Sequence, residues 1–177
     1  MARISTLQMA LKPQDLFVLL ALLARDSSAT YADLATQTGL AGSAVHGALK
    51  RAAAAALVRF QDRQPVLLKP SLREFVLHGA KYAFPAVHGR LARGVPTAYA
   101  AAPLNTMIAA SSDPPPMWPH KIGSVRGVSL VPLYPTVPEA ALRDEKLYAL
   151  LALFDAIRSG QARERNLAQG MLEERIQ

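Results

Sequence analysis

The chain has 177 residues, 51% of them apolar, with 20 Lys+Arg against 13 Asp+Glu for a net charge of +7, and no cysteine. That length holds one or at most two small domains with a proper core, and the missing cysteines exclude a disulfide frame, a thiolate metal site and a cysteine nucleophile. The charge is uneven: residues 1–100 carry 12 basic residues and 5 acids, so the whole excess lies there, while the 8 bases and 8 acids of residues 101–177 cancel.

In chain order, Met1 to Leu11 is a lead-in with Leu7, Met9 and Leu11 as its apolar residues, suited to a strand or to an arm that packs on a partner. It lacks the layout of a signal peptide. The apolar run Leu16 to Ala24 is too short to span a bilayer and follows Asp15 rather than a basic start, so a cytoplasmic protein without membrane contact is expected. Lys12-Pro13 opens a first helix, because proline is favoured at the first helical position. Leu16, Leu19, Leu20 and Leu23 give it an apolar stripe that Phe17, Val18 and Leu22 widen, and Asp26-Ser27-Ser28 closes it.

Thr30-Tyr31-Ala32-Asp33 is a capping-box start for a helix of about two turns that Gly39 stops. Leu40-Ala41-Gly42 allows only a sharp turn. The next helix starts near Ser43 and buries Val45, Leu49, Ala52 and Ala56 at helical spacing, leaving Ser43, Ala44, His46, Gly47, Lys50 and Arg51 on or beside an open face. A short helix, a tight turn and a longer helix with a basic outer face is helix-turn-helix geometry. The stretch from Leu40 through Gly42, His46 and Gly47 to Lys50-Arg51 resembles the recognition helix of winged-helix bacterial regulators of the MarR-like kind, and residues 55–59 resemble its exit into a wing. The resemblance covers roughly residues 12–69.

Two apolar runs, 57–61 and 66–69, flank the polar linker Asp62-Arg63-Gln64-Pro65 and suit a hairpin. By resemblance Arg63 lies at the tip of the wing, over the phosphate backbone or minor groove, and Arg59 lies on its first strand. Gly47 and Ala44 depart from the family pattern, in which a polar reader often stands at the first and Ser or Thr at the second. Base readout would then rest on Ser43, His46 and Lys50, with Ala44 able to touch a thymine methyl. Lys50 and Arg51 suit phosphate contacts, which release counterions.

Pro70 to Glu74 is a second capping-box signal, for a helix from about Leu72 to Lys81 with Phe75, Val76 and Tyr82 facing inward. His78, His88 and His120 match no metal-ligand spacing, and neither a metal nor another cofactor is expected. Pro and Gly break up the region from Phe84 to Leu104, where Arg90 and Arg93 would contact phosphate or hold carboxylates of the C-terminal region. The proline run at 114–116 favours an irregular, polyproline-like loop. Trp118 within it is either a buried anchor, the favoured reading, or an exposed docking element. Residues 123–133 carry a strand. Thr136 starts a helix and Asp144 caps a longer one bearing Leu147, Leu150, Leu151, Phe154 and Ile157. A last helix runs from about Gln161 to Arg175, with Leu167, Met171 and Leu172 on one side.

These elements describe a mainly α chain with a small β wing, of the α+β class. A winged helix-turn-helix domain, residues 1–82, precedes a mixed region and C-terminal helices, residues 83–177, that serve dimerisation or partner binding. The expected function is sequence-specific binding to double-stranded DNA by a dimeric transcriptional repressor. The resemblance implies the homodimer, since terminal helices build the dimer in MarR-like regulators. The alternative is an antitoxin-type or other regulator whose C-terminal region seizes a protein partner. No paired-carboxylate, Ser/His/Asp, phosphate-loop or metal pattern supports an enzyme.

Overall fold

The computed structural model describes residues 9–109 and 112–177. The lead-in therefore falls largely outside the described residues, except that Leu11 packs against the core. Helices α1 (Pro13–Leu23), α2 (Tyr31–Thr38) and α3 (Gly42–Ala54) come first, followed by a hairpin of β1 (Val58–Gln61) and β2 (Gln64–Leu67). A helical stretch follows as α4 (Lys69–Glu74), a π-helical turn (Phe75–Gly79) and α5 (Ala80–Ala83). Then come β3 (His88–Pro96), two short 3-10 turns, β4 (Pro116–Pro119), β5 (Val125–Leu130), and helices α6 (Val137–Arg143), α7 (Glu145–Ser159) and α8 (Ala162–Ile176). The class is α+β.

Local chemistry explains the first three helices. Pro13 sits at the start of α1, and the Asp15 carboxylate accepts from the Lys12 backbone N–H at 2.8 Å. Thr30 caps α2: its hydroxyl accepts from Asp33 N–H at 3.1 Å, and the Asp33 carboxylate accepts from Thr30 N–H at 2.8 Å. Gly39 ends α2 at φ 71°, a conformation nearly free of strain only for glycine. Helix α3 ends two residues earlier than its apolar spacing suggests. Ala56 lies beyond it at φ 55° and is exposed, so it leaves the expected stripe, and Ala48 joins Val45, Leu49 and Ala52 in the buried face.

The hairpin is tighter than the sequence implies. Gln61 pairs with Gln64, so only Asp62 and Arg63 form the turn, and both are left-handed, at φ 49° and 63°. Such two-residue turns match the twist of the strands they join. Pro65 belongs to β2, opposite Phe60. An isolated two-stranded ribbon tolerates it, because neither strand is flanked on both sides. The next helix starts at Lys69 and is not capped by a side chain at its N-terminus, so the second capping box does not form. Tyr82, expected inside, is 76% exposed.

Two strands occupy stretches whose prolines and glycines suggested irregular chain. Strand β3 pairs with β4 and β5, and β4 pairs with β5, which closes a small three-stranded barrel. Such a narrow barrel needs backbone against backbone. A Cβ on Gly94 would stand 1.9 Å from the Trp118 carbonyl oxygen, and one on Gly123 would stand 2.0 Å from the Gly94 carbonyl carbon. Trp118 is the buried anchor, 1% exposed. Its indole Nε1–H donates to Asp155 Oδ2 at 2.7 Å, and the Thr97 hydroxyl donates to the same oxygen at 2.7 Å. Arg158 Nε–H donates to Asp155 Oδ1 at 2.7 Å. A buried carboxylate on α7 thereby fixes the barrel to the helices, its charge offset by Arg158 and its oxygens taking three hydrogen bonds.

Helix α7 is the centre of the molecule. Leu147, Leu150 and every residue from Leu151 to Ile157 are buried, and α7 packs against α1, α5, α6 and α8. Buried side chains from Leu16 to Ile176 form one continuous cluster, so the expected boundary near residue 82 does not separate two cores. Helix α8 turns Ala168, Leu172 and Ile176 into that cluster, and Gln169 Nε2–H donates to the Leu77 carbonyl at 3.1 Å. The apolar faces of both terminal helices are therefore covered within the chain. Among the described residues no helix is long and apolar enough to cross a membrane.

Candidate nucleic-acid interface

The candidate interface centres on α3. Its inner face, Val45, Ala48, Leu49 and Ala52, packs on α1 and α2, which fixes the rotation of the helix. Ser43, His46 and Lys50 point to solvent at positions spaced three and four apart, which places them on one stripe. Ala44 lies beside that stripe, half-buried against the core. A hydroxyl, an imidazole and an ammonium on one rigid, exposed helix face can donate to base edges and phosphates.

Arg51 does not belong to this face, which corrects its expected phosphate role. Its guanidinium grips the fully buried Asp15 on α1 in a two-pronged pair, Nε–Oδ2 at 2.7 Å and Nη2–Oδ1 at 2.6 Å, and only 16% of its side chain is exposed. The hydrogen bonds that it donates to Asp15 hold the guanidinium pKa above its ordinary value. Gly47, one turn earlier, explains how the side chain reaches inward. A Cβ there would stand 3.2 Å from Arg51 Nη1, so the missing side chain leaves the guanidinium its path along the helix. Gly47 thus has a packing reason, and it offers no side chain for readout.

The hairpin carries the remaining candidates. Arg59 on β1 and Arg63 in the turn are both exposed. Arg63 holds a left-handed backbone that L-residues with long side chains rarely adopt, and that usually costs about 1–3 kcal/mol. Glycine is the common choice at such a turn position, so an arginine there keeps a charged side chain at a strained tip. Arg59, in contrast, sits in ordinary strand geometry opposite Val66.

Tyr31 is a neighbour that the sequence reading missed. As the first residue of α2 it brings its ring centroid to 5.6 Å from that of His46, tilted by 41°. The half-buried tyrosine limits the positions open to the imidazole, a contact that depends on how α2 and α3 cross and so has no signal in sequence spacing. At the end of α2, the Thr136 hydroxyl donates to the Thr38 carbonyl at 2.6 Å, and Gln37 Nε2–H donates to Asp144 Oδ2 at 2.9 Å. These bonds lock the α2–α3 turn to α6 and the start of α7.

Among the described residues no group of three or more His, Asp and Glu side chains is arranged to hold a metal ion. Tyr148 is perturbed, its pKa pushed up to about 12 by burial, but its hydroxyl donates to the Pro96 carbonyl at 2.6 Å and serves to join α7 to β3. No protein-family model matches the sequence, and neither the curated proteins nor the solved structures contain a match to it.

Proposed function

We propose that the chain is a sequence-specific DNA-binding transcriptional regulator of the winged helix-turn-helix kind, acting as a homodimeric repressor. In this reading α3 enters the major groove and the β1–β2 hairpin is the wing. The observation that carries it is the exposed Ser43, His46 and Lys50 stripe on a helix whose opposite face is fixed in the core, followed by a hairpin that presents Arg63 from a strained turn. Ser43 and His46 read bases, while Lys50, Arg59 and Arg63 contact phosphate. The test is a titration of the full chain against its own upstream DNA and a scrambled duplex at low and physiological salt. Preference for the native fragment that survives the higher salt is expected, and His46→Ala should alter the selected sequence more than the affinity. Equal binding to both duplexes, or none, overturns the proposal.

A protein-partner reading of the antitoxin type is favoured by a different surface. Val87, Leu91 and Val131 are 55%, 53% and 50% exposed on and beside the barrel, and Val131 N–H donates to the Val87 carbonyl at 2.9 Å, which holds two of them together. Because α7 and α8 are covered within the chain, this surface also suits a second copy better than the terminal helices do. Light scattering on the wild type and on Leu91→Asp separates the two. A dimer that the variant dissociates supports the homodimer, whereas a monomeric wild type favours a different protein as partner.

A further inference from the structure

Part of the positive charge outside that interface lies on the barrel. Strands β3 and β5 are antiparallel, and their register sets Arg93 directly opposite Arg126. Both side chains are exposed, and neither has an ion-pair or side-chain hydrogen-bond partner among the described residues. Like charges directly opposite on a ladder repel and weaken the pairing. A third cation joins them. The His120 backbone N–H donates to the Arg93 carbonyl at 3.2 Å, and the turn closed by Gly123 N–H on the His120 carbonyl at 3.1 Å, which carries the exposed Lys121, lies against Gly94. His120 in turn reaches α6, its Nε2 lying 3.4 Å from the Glu139 carboxylate.

The position of this cluster gives it meaning. Glu139 belongs to α6, whose N-cap Thr136 binds the Thr38 carbonyl and touches the space above Gly39, at the turn that leads into α3. A continuous series of contacts thus runs from Arg93 through His120 and α6 to the start of the candidate recognition helix. We infer that Arg93, Lys121 and Arg126 form a second phosphate-binding surface, which grips the DNA backbone beside the segment that α3 reads. This rests on the regulator reading above and extends its footprint to the barrel. A phosphodiester backbone is the partner that fits: it offers closely spaced anions that neutralise two opposed guanidiniums at once, and arginine forks match phosphate oxygens in pairs.

The test is the salt dependence of binding of the full chain to a 30-base-pair duplex, about the length needed to pass beyond a single groove contact. Each lost phosphate contact lowers the slope of log affinity against log salt by about 0.9, so Arg93→Gln with Arg126→Gln should lower it by roughly 1.8. Arg93→Lys with Arg126→Lys should keep the wild-type slope. Because the two charges repel, the glutamine pair should melt at or above the wild-type temperature, which separates loss of binding from loss of fold. Lys50→Ala runs alongside. If it lowers the slope while the glutamine pair binds like wild type, the barrel surface is overturned and the regulator reading stands. If the wild type does not bind the duplex, both fall.

Discussion

Replacing Arg51 by methionine distinguishes a helix that offers two adjacent cations to DNA from one that offers only Lys50. In the structure the Asp15 carboxylate is 0% exposed and takes two charged hydrogen bonds from Arg51, at 2.6 and 2.7 Å, besides the Lys12 N–H at 2.8 Å. Methionine keeps most of the volume and removes both charged bonds. It leaves a buried carboxylate with one backbone donor. Breaking a buried pair in this way costs about 3–5 kcal/mol, a large share of the roughly 5–15 kcal/mol that holds a domain of this kind. At about 2–4 °C per kcal/mol for this chain length, the melting temperature should fall by roughly 6–20 °C. Thermal and urea unfolding followed by circular dichroism read this directly. The double variant Asp15→Leu with Arg51→Met should recover much of the loss, because no buried charge is then left unpaired. A single variant that melts within about 1 °C of wild type, well inside the effect expected of a surface change, yet binds DNA weakly would refute the pairing and return Arg51 to the outer face.

Three further outcomes follow from particular contacts. Arg63→Gly relieves a left-handed backbone at the hairpin tip, so stability should rise by up to about 1 kcal/mol after the entropy cost of glycine, while the salt slope of DNA binding falls by about 0.9; a destabilised variant would show that the turn is not strained. A chain ending at Arg143 loses α7 and α8, whose side chains from Leu147 to Ile157 and at Leu172 and Ile176 fill the core, so it should be unfolded by circular dichroism instead of a folded monomer. The Thr30 backbone N–H, and then its hydroxyl, hold the Asp33 carboxyl below its ordinary value of 3.8. Its stabilisation is therefore complete above that value and is lost as the pH falls through the lower folded pKa. Thr30→Ala should lower the urea midpoint more at pH 7 than under acid conditions, and a pH-independent deficit would rule out the capping carboxylate as its source.

Most signals confined to a few consecutive residues carried through to the structure, the box at 70–74 being the exception. Pro13 at the head of α1, the Thr30–Asp33 box, Gly39 at the end of α2 and Asp144 capping α7 each act on backbone groups within four residues, so spacing alone locates them. The stripe of α3 was legible for the same reason, through the period of the helix. The hairpin was legible as a pair of strands, but its turn was not, because the linker looked four residues long until Pro65 paired with Phe60.

What the sequence by itself determined is the α+β composition, the order of the helices and the excess of positive charge in residues 1–100. Only the tertiary structure decided where those charges face. Lys50 and Arg51 are neighbours in sequence, yet a 100° step per residue turns one to solvent and the other toward Asp15, 36 residues away. Strands β3 and β4 were hidden because Gly and Pro ordinarily break strands, and here the glycines admit the close backbone contacts of a three-stranded barrel. The burial of α7 and α8 was equally out of reach. An amphipathic stripe states that a face must be covered, and the surface that covers it is supplied by residues distant in the chain.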